Sequence, residues 1–365
     1  MGGTLNVGII GVGVISAQYF AEFPKLPGLH VVAVADVNEA RAAEVAAEQG
    51  VEALSVDALL ADPRIDAILN LTIPAVHVEI AERALRAGKH VYGEKPLALD
   101  PTEAVGMMEL ARTLGLRVGS APDTVLGTGV QTARALLDSG VVGDAVAAAV
   151  HWSSPGHERW HPAPQFYYQP GGGPLFDMAP YYLSSLVTLL GPVARVSGVA
   201  TRSSRERTIA TGGQAGTVVP VNVDTHVSAI LEHVNGLTST LTVSFEVWAS
   251  RAPLFELYGT KGTIAVPDPN RFSDPVEVWT VDAPEWTEAP VSAGYADAGR
   301  GFGLADMAHA IETDRPHRAS GELAFHVLEI MDAVLRAAHD HTVIELTSTA
   351  TRPDVVPFGT TPNTW

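Results

Sequence analysis

Leu5-Asn6-Val7-Gly8-Ile9-Ile10-Gly11-Val12-Gly13-Val14-Ile15-Ser16 is the stretch on which the reading of the fold turns. Its first six residues form a short apolar run that predicts a buried strand, and a G-x-G-x-x-S turn follows at once. In a turn of this spacing the first glycine permits the tight bend and the second lets backbone approach a pyrophosphate. The third position asks only for a small residue where the next helix packs on the strand, which Ser16 satisfies. A helix over residues 15–23 would then offer its N-terminal N–H groups to the phosphates. Glycine turns also occur without a nucleotide, so the surrounding rhythm has to decide.

That rhythm is strand–helix alternation. A second strand at 30–35 ends in Asp36, about twenty residues past the turn, where a carboxylate would hold ribose hydroxyls. Val37 and Asn38 follow it, with no adjacent arginine for a 2′-phosphate, which favours NAD over NADP. Asp36 or Asn38 also reads as the N-cap of a helix over 39–49. A strand at 66–71 carries Thr72-Ile73-Pro74 at its carboxyl end. His77 falls in the first turn of the helix after it, either bordering the nicotinamide ribose or lying on the surface. Asp100, Pro101 and Glu103 open a further helix as a capping box, and 116–120 is a further strand. The alternation predicts an α/β fold with a doubly wound parallel sheet over residues 1–122. Gly11, Gly13, Val14, Ile15, Asp36, Thr72, Pro74, His77, Glu94 and Lys95 are the expected cofactor-binding positions on one edge of it.

Within this sheet, Ala87-Gly88-Lys89-His90 closes a helix and leads into Val91-Tyr92-Gly93-Glu94-Lys95-Pro96. The chain has only four lysines, Lys25, Lys89, Lys95 and Lys261, so one fixed between a carboxylate and a proline at a strand end is no random scatter. Pro96 biases Lys95 to extended backbone. Open parallel sheets bind ligands beyond the carboxyl ends of their strands, where Lys95 falls.

After Asp123 the alternation stops. A helix over 126–139 and a strand over 145–152 lead to a loop carrying His157, Arg159, Trp160, His161, Gln165, Phe166, Tyr167, Tyr168 and Gln169. Long loops of this composition commonly bind ligands or act as lids. Gly171-Gly172-Gly173-Pro174 then opens an apolar helix reaching Leu190. Because proline is tolerated mainly in a first turn, Pro180 places the helix start no earlier than about Phe176 and Asp177 near the N-cap. Tyr181 shares the face of Asp177. Alternating segments beyond, with Val234-Asn235-Gly236-Leu237 as a type I′ hairpin signal and Gly259-Thr260-Lys261-Gly262 as another turn, predict a large, mostly antiparallel sheet with helices on one face. Helices at 304–312 and 322–339 and a strand near 343–346 complete a C-terminal α+β domain spanning 123–365. Val227, Ala229, Leu241, Val243 and Phe245 line one side of its sheet. If that side is the open one, it needs a partner chain, so a homodimer or homotetramer is expected.

The composition narrows the functional classes. The chain has no cysteine, which excludes disulfides, thiolate metal sites and cysteine nucleophiles. A formal charge of −18 without a basic stripe argues against nucleic acid. No apolar run is long enough for a bilayer, and the thirteen histidines show no metal-ligand spacing. The N-terminus has no signal-peptide pattern. It opens Met1-Gly2 as myristoylated chains do, but Asn6 stands where Ser or Thr is needed. Cytoplasm is the expected location.

The residues resemble the glucose–fructose oxidoreductase / inositol dehydrogenase (Gfo/Idh/MocA) family over nearly the whole chain. The most specific matches are the glycine turn, the run from Ala87 into Glu94-Lys95-Pro96, and the triple glycine before Asp177. The resemblance implies an N-terminal Rossmann domain holding NAD(P), a C-terminal substrate domain, and hydride transfer at a ring hydroxyl of a sugar, cyclitol or glycoside. It also implies that Lys95 and Asp177 are the site lysine and aspartate.

The family's usual histidine, four residues after that aspartate, falls on Tyr181. Three replacements for its acid–base role stay open. One is Tyr181 with its phenol lowered by a cation; another is His161 or His157 from the loop; the third is Lys95 itself acting through water. In this scheme Lys95 holds the substrate oxygen, Asp177 orients Lys95 or a neighbouring hydroxyl, and the aromatic loop stacks on the sugar ring. The alternatives are a non-catalytic, cofactor-bound sensor or a dihydrodiol or imine oxidoreductase.

Overall fold

The computed structural model describes residues 4–362; the Met1-Gly2 start lies outside them. Strands β1 (Leu5–Ile10), β2 (Leu29–Ala35), β3 (Glu52–Ala53), β4 (Ala67–Asn70), β5 (His90–Gly93) and β6 (Val118–Ser120) form one sheet in the order β3-β2-β1-β4-β5-β6. Every pairing in it is parallel. Helices α1 (Ser16–Glu22), α2 (Glu39–Gln49), α3 (Val56–Ala61), α4 (His77–Arg86) and α5 (Pro101–Leu114) connect the strands. The strand order reverses between β1 and β4, which opens a crevice at their carboxyl ends. Local chemistry sets the helix ends: Asn38 caps α2 by accepting from Arg41, Asp100 caps α5 by accepting from Thr102, and Gly50 and Gly115 end these helices in left-handed conformation.

The remaining strands, β7 (Ala145–Ser153), β8 (Val193–Thr201), β9 (Glu206–Thr208), β10 (Val218–Pro220), β11 (His226–His233), β12 (Thr238–Ser244), β13 (Phe255–Gly259), β14 (Gly262–Ala265), β15 (Glu277–Thr280), β16 (Ala283–Glu288) and β17 (Ile344–Glu345), belong to a second unit. Nine of them make one sheet, β16-β15-β14-β13-β7-β12-β11-β8-β17, antiparallel except for β7–β12. The other two pair as a separate ribbon. Among the described residues no helix is long and apolar enough to cross a membrane.

The compact units do not divide at residue 122. The first takes the chain up to Gln131, then Ser292–Leu328, and again the chain from Pro353; the second comprises Thr132–Val291 and Glu329–Arg352. Helix α6 (Thr128–Ser139) crosses that boundary, as does α9 (Gly321–Asp340), whereas α8 (Phe302–Glu312) lies within the first unit. The reason is a set of buried polar ties that sequence spacing does not reveal. The carboxylate of fully buried Asp123 accepts from the backbone N–H groups of Gly301 and Gly303. Asp306, equally buried, pairs with Arg318 and Arg315 at 2.6 and 2.9 Å. Ser120 donates to the Ala319 carbonyl, extending the edge of the parallel sheet.

Helix α7 (Gly173–Leu190) begins earlier than Pro180 suggests. Pro180 sits inside it, so Asp177 lies in the second turn and does not cap the helix. The cost of an internal proline, about 3 kcal/mol, is outweighed by burying almost the entire helix. Gly172 starts it because a Cβ there would meet the carbonyls of Phe166 and Tyr167 at 2.6 Å, and Gly173 has φ +76°.

Val227, Ala229, Leu241, Val243 and Phe245 are buried on the side of the sheet that α7 covers, so they are core and not an open face. The uncovered side carries Ser228, Ile230, Thr240 and Thr242. The β11–β12 turn is also not type I′. His233 O accepts from Gly236 N, and Gly236 alone has positive φ, so the loop is an ordinary turn followed by a glycine bulge.

Candidate active site

The candidate side chains fall into two groups, one in each unit. In the first unit, Gly11 has φ +96°, and a Cβ on it would lie 2.6 Å from the backbone of Leu71. Only glycine fits between β1 and the chain leaving β4. Gly13 is the opposite case: a Cβ there would meet nothing within 4 Å, so its bareness leaves room for something outside the chain. Val14 and Ile15 carry the turn into α1, Val14 fully outward. Ser16 is buried and donates from its hydroxyl to Gly13 O at 2.7 Å, locking the turn onto the helix. No side chain caps α1 at Ile15, and uncapped N–H groups next to an open glycine suit a pyrophosphate.

Asp36 sits where β2 ends. Its two carboxylate oxygens accept from the backbone N–H groups of Val12, at 2.8 Å, and Asn38, at 2.9 Å. The carboxylate is therefore tied to the glycine turn, with lone pairs beyond those two bonds. It does not cap α2, which Asn38 does. Arg41, missed because it lies a helical turn further on, donates to Val12 O at 3.3 Å and so brings a cation beside the turn.

Thr72 and Pro74 follow β4; the Thr72 hydroxyl donates to Asn70, and the Asn70 amide donates to His77 O. His77 is buried, not on the surface. Its Nδ1 lies 2.8 Å from Pro96 O and its Nε2 3.0 Å from Thr72 O, so the ring sits between the loop after β4 and the loop after β5 and each neutral tautomer donates to one of them. Glu94 accepts from the Tyr19 hydroxyl at 2.8 Å and from the Lys95 backbone N–H at 3.2 Å. Lys95 stands at the carboxyl end of β5, next to a cis Lys95–Pro96 peptide. Lys89 is structural: buried, it donates to the carbonyls of Asp62 and Ile65, and burial pulls its pKa down.

In the second unit, Asp177 is the one residue of α7 that is not classed as buried. Its Oδ2 lies 2.8 Å from His157 Nε2, the two side chains being 14% and 7% exposed. Trp160 Nε1 donates to the other ring nitrogen of His157 at 3.3 Å. Sequence reasoning put His161 ahead of His157 for this region. The structure pairs His157 with Asp177, while His161 Nδ1 accepts from Ala163 N at 3.1 Å and its ring packs among Trp160, Phe166 and Tyr167. Tyr181, one turn along α7 from Asp177, is buried.

Of the loop aromatics, Trp160 and Phe166 are 59% and 57% exposed, whereas Tyr168 is in the core. Tyr168 accepts from His157 N and donates to Glu158, and Arg207 pairs with Glu158 and Glu246. Burial and the Glu158 carboxylate push the Tyr168 phenol up, so it stays a donor.

Residues 5–121 match the oxidoreductase family with an NAD-binding Rossmann fold, and residues 130–265 match the GFO/IDH/MocA C-terminal domain. The chain is 30% identical to the dTDP-3,4-didehydro-2,6-dideoxy-alpha-D-glucose 3-reductase of Streptomyces antibioticus over 82% of this chain and 88% of that one. It is 29% identical to the enzyme of the same name from Streptomyces violaceoruber, over 92% and 96%. Among solved structures, apo levoglucosan dehydrogenase shares the fold with a TM-score of 0.81 at 23% identity, covering 95% of this chain and all of that one. With the glycine turn, Asp36 and the parallel sheet in place, the chain belongs to the Gfo/Idh/MocA family of oxidoreductases and uses NAD as its cofactor.

Proposed function

We propose that this enzyme moves a hydride between NAD and a ring carbon bearing a hydroxyl or ketone on a sugar, cyclitol or glycoside, with Lys95, Asp177 and Tyr181 as its polar working groups. The observation that carries the reading is Asp177, a carboxylate partly exposed on a helix otherwise buried throughout and held from behind by His157. A buried helix keeps such a group at its surface for contact with a ligand. The relatives named above as dTDP-sugar reductases support a sugar ring as substrate and allow the reductive direction.

NAD, when bound, supplies the hydride acceptor; Gly11, Gly13, Val14, Ile15, Asp36, Thr72, Pro74 and Glu94 are the residues proposed to hold or border it. Lys95 holds the substrate oxygen and stabilises negative charge as it develops there. Tyr181 exchanges the hydroxyl proton. The histidines serve less well, since His161 and His157 each use Nδ1 as an acceptor, which leaves their remaining proton on Nε2. Trp160 and Phe166 offer flat apolar faces to the C–H surface of a ring.

The test is formation of NADH from NAD with myo-inositol, D-glucose, levoglucosan and a set of glycosides and nucleotide sugars, with Lys95→Ala as the blank. Turnover absent from Lys95→Ala supports the reading; turnover equal in both sinks it. The proposed setting is the cytoplasm, where NAD is available. Self-association is proposed through the uncovered side of the large sheet, where Val199 and Ile230 are exposed among small polar residues. Light scattering that gives a monomer mass at micromolar concentration removes that part.

A further inference from the structure

We infer that His157 is a positioning residue of this enzyme, fixed by Trp160 in its Nε2–H form so that it presents a single donor to Asp177. The inference rests on the reading of Asp177 as a group that contacts substrate. An indole N–H can only donate, so the Trp160 bond requires a lone pair on His157 Nδ1. The ring proton then lies on Nε2, 2.8 Å from Asp177 Oδ2. The other tautomer would set two N–H groups face to face at Trp160 and two acceptors face to face at Asp177. Packing fixes the orientation of the ring, which keeps Nδ1 at Trp160 and Nε2 at Asp177: Tyr167 and Phe245 each hold the imidazole at a centroid distance of 4.4 Å. The His157 backbone is fixed in turn by its N–H bond to the Tyr168 hydroxyl.

The consequence is directional. Asp177 Oδ2 is committed to His157, which fixes the plane of the carboxylate. In hydrolase triads the carboxylate stands behind and the imidazole meets the reacting group. Here the order is reversed, with the imidazole behind and the carboxylate at the surface of α7. His157 acts through Asp177 and takes no proton from substrate.

Two measurements on the NAD-loaded protein test this. The first is the ¹⁵N–¹H correlation pattern of the His157 ring in wild type and in Trp160→Phe, which should fold normally because Trp160 is mostly exposed. Wild type should show Nε2 protonated and Nδ1 bare, and Trp160→Phe should shift the Nδ1 resonance, which loses its indole donor. A wild-type ring protonated on Nδ1 overturns the proposal.

The second is kinetics of His157→Leu, His157→Gln, Trp160→Phe and Asp177→Asn, on whichever of myo-inositol, D-glucose and levoglucosan turns over. His157→Leu should lower kcat roughly ten- to hundredfold with KM little changed, the size of one hydrogen bond to a charged group. His157→Gln, whose amide N–H reaches to a similar distance, should recover most of that loss. Trp160→Phe should cost about two- to tenfold, as for a neutral hydrogen bond. Wild-type kcat in His157→Leu beside a dead Asp177→Asn overturns the role of His157 alone. Full activity in Asp177→Asn overturns the underlying reading of Asp177 and the positioning role with it.

Discussion

The hydroxyl of Tyr19, on the first helix after the glycine turn, donates to the Glu94 carboxylate at 2.8 Å, one residue before Lys95. Burial, with Glu94 and Asp123 nearby, pushes the Tyr19 phenol well above its ordinary range, so it remains the donor at any working pH. The same carboxylate accepts the Lys95 backbone N–H. The helix that follows the glycine turn therefore holds the backbone of Lys95 through Glu94.

Tyr19→Phe removes that hydroxyl and little else. It should lower stability by about 1.5–3 kcal/mol, as for a hydrogen bond to a charged group, and reduce kcat. Urea unfolding beside steady-state assays measures both. An unchanged midpoint with unchanged kcat would mean that Glu94 is held without Tyr19.

The two glycines of the turn should fail differently. Gly11→Ala meets the Leu71 backbone and carries a positive φ, so it should destabilise the fold and prevent NAD binding together. Gly13→Ala meets nothing in the protein, so its melting temperature without NAD should stay near wild type while affinity for NADH drops. Paired thermal melts and NADH titrations separate the outcomes. A destabilised Gly13→Ala would show that the open space there is a packing requirement of the fold.

Asp36→Ala should weaken NADH binding roughly ten- to hundredfold, the loss of one hydrogen bond to a charged group. It should also narrow the preference over NADPH, because the carboxylate that repels a 2′-phosphate would be gone while Arg41 stays beside Val12. Fluorescence titration with both dinucleotides decides. Unchanged discrimination would remove Asp36 from the ribose site.

His77→Ala removes the ring between Thr72 O and Pro96 O. Loss of its hydrogen bond and of its buried volume should cost about 1–3 kcal/mol. NADH affinity should also fall, because both loops border the proposed site. Equilibrium unfolding and titration on the same preparation measure the two effects.

Glu329 gives a pH dependence with a definite sign. Burial by itself raises its carboxyl pKa, but bonds from Ser348 and Thr347, side chain and backbone, outweigh that and hold it below the usual value. A carboxyl lowered in the folded state adds stability that is complete above its unfolded pKa, about 4.3. That stability is lost as pH falls through the lower folded value. Glu329→Gln should therefore flatten the acid limb of a melting-temperature profile and leave its shape near neutrality unchanged. An identical acid limb in the variant counts against the assignment.

Much of the first unit is local, and that is why it was legible. The β1 strand, Gly11, Gly13 and Ser16, the carboxylate at the end of β2, and Lys95 between Glu94 and Pro96 are fixed by sterics and periodicity within a few residues of each position. The parallel order follows from alternation, because crossover helices leave few other arrangements. The caps Asn38 and Asp100 are equally local.

What only the tertiary structure decided are choices between groups far apart in the chain. Spacing cannot say that Asp177 pairs with His157 and not His161, because that depends on where a loop after β7 meets α7. Pro180 misplaced the helix start because a local penalty was weighed without the burial that outweighs it. Val227 and its neighbours alternate correctly, but alternation does not tell which face a helix covers. The return of Ser292–Leu328 to the first unit rests on buried partners such as Asp123 and Asp306. Each of these was settled by desolvation: a buried charge or an apolar face must find its partner wherever the fold brings one, and sequence distance carries no information about where that is.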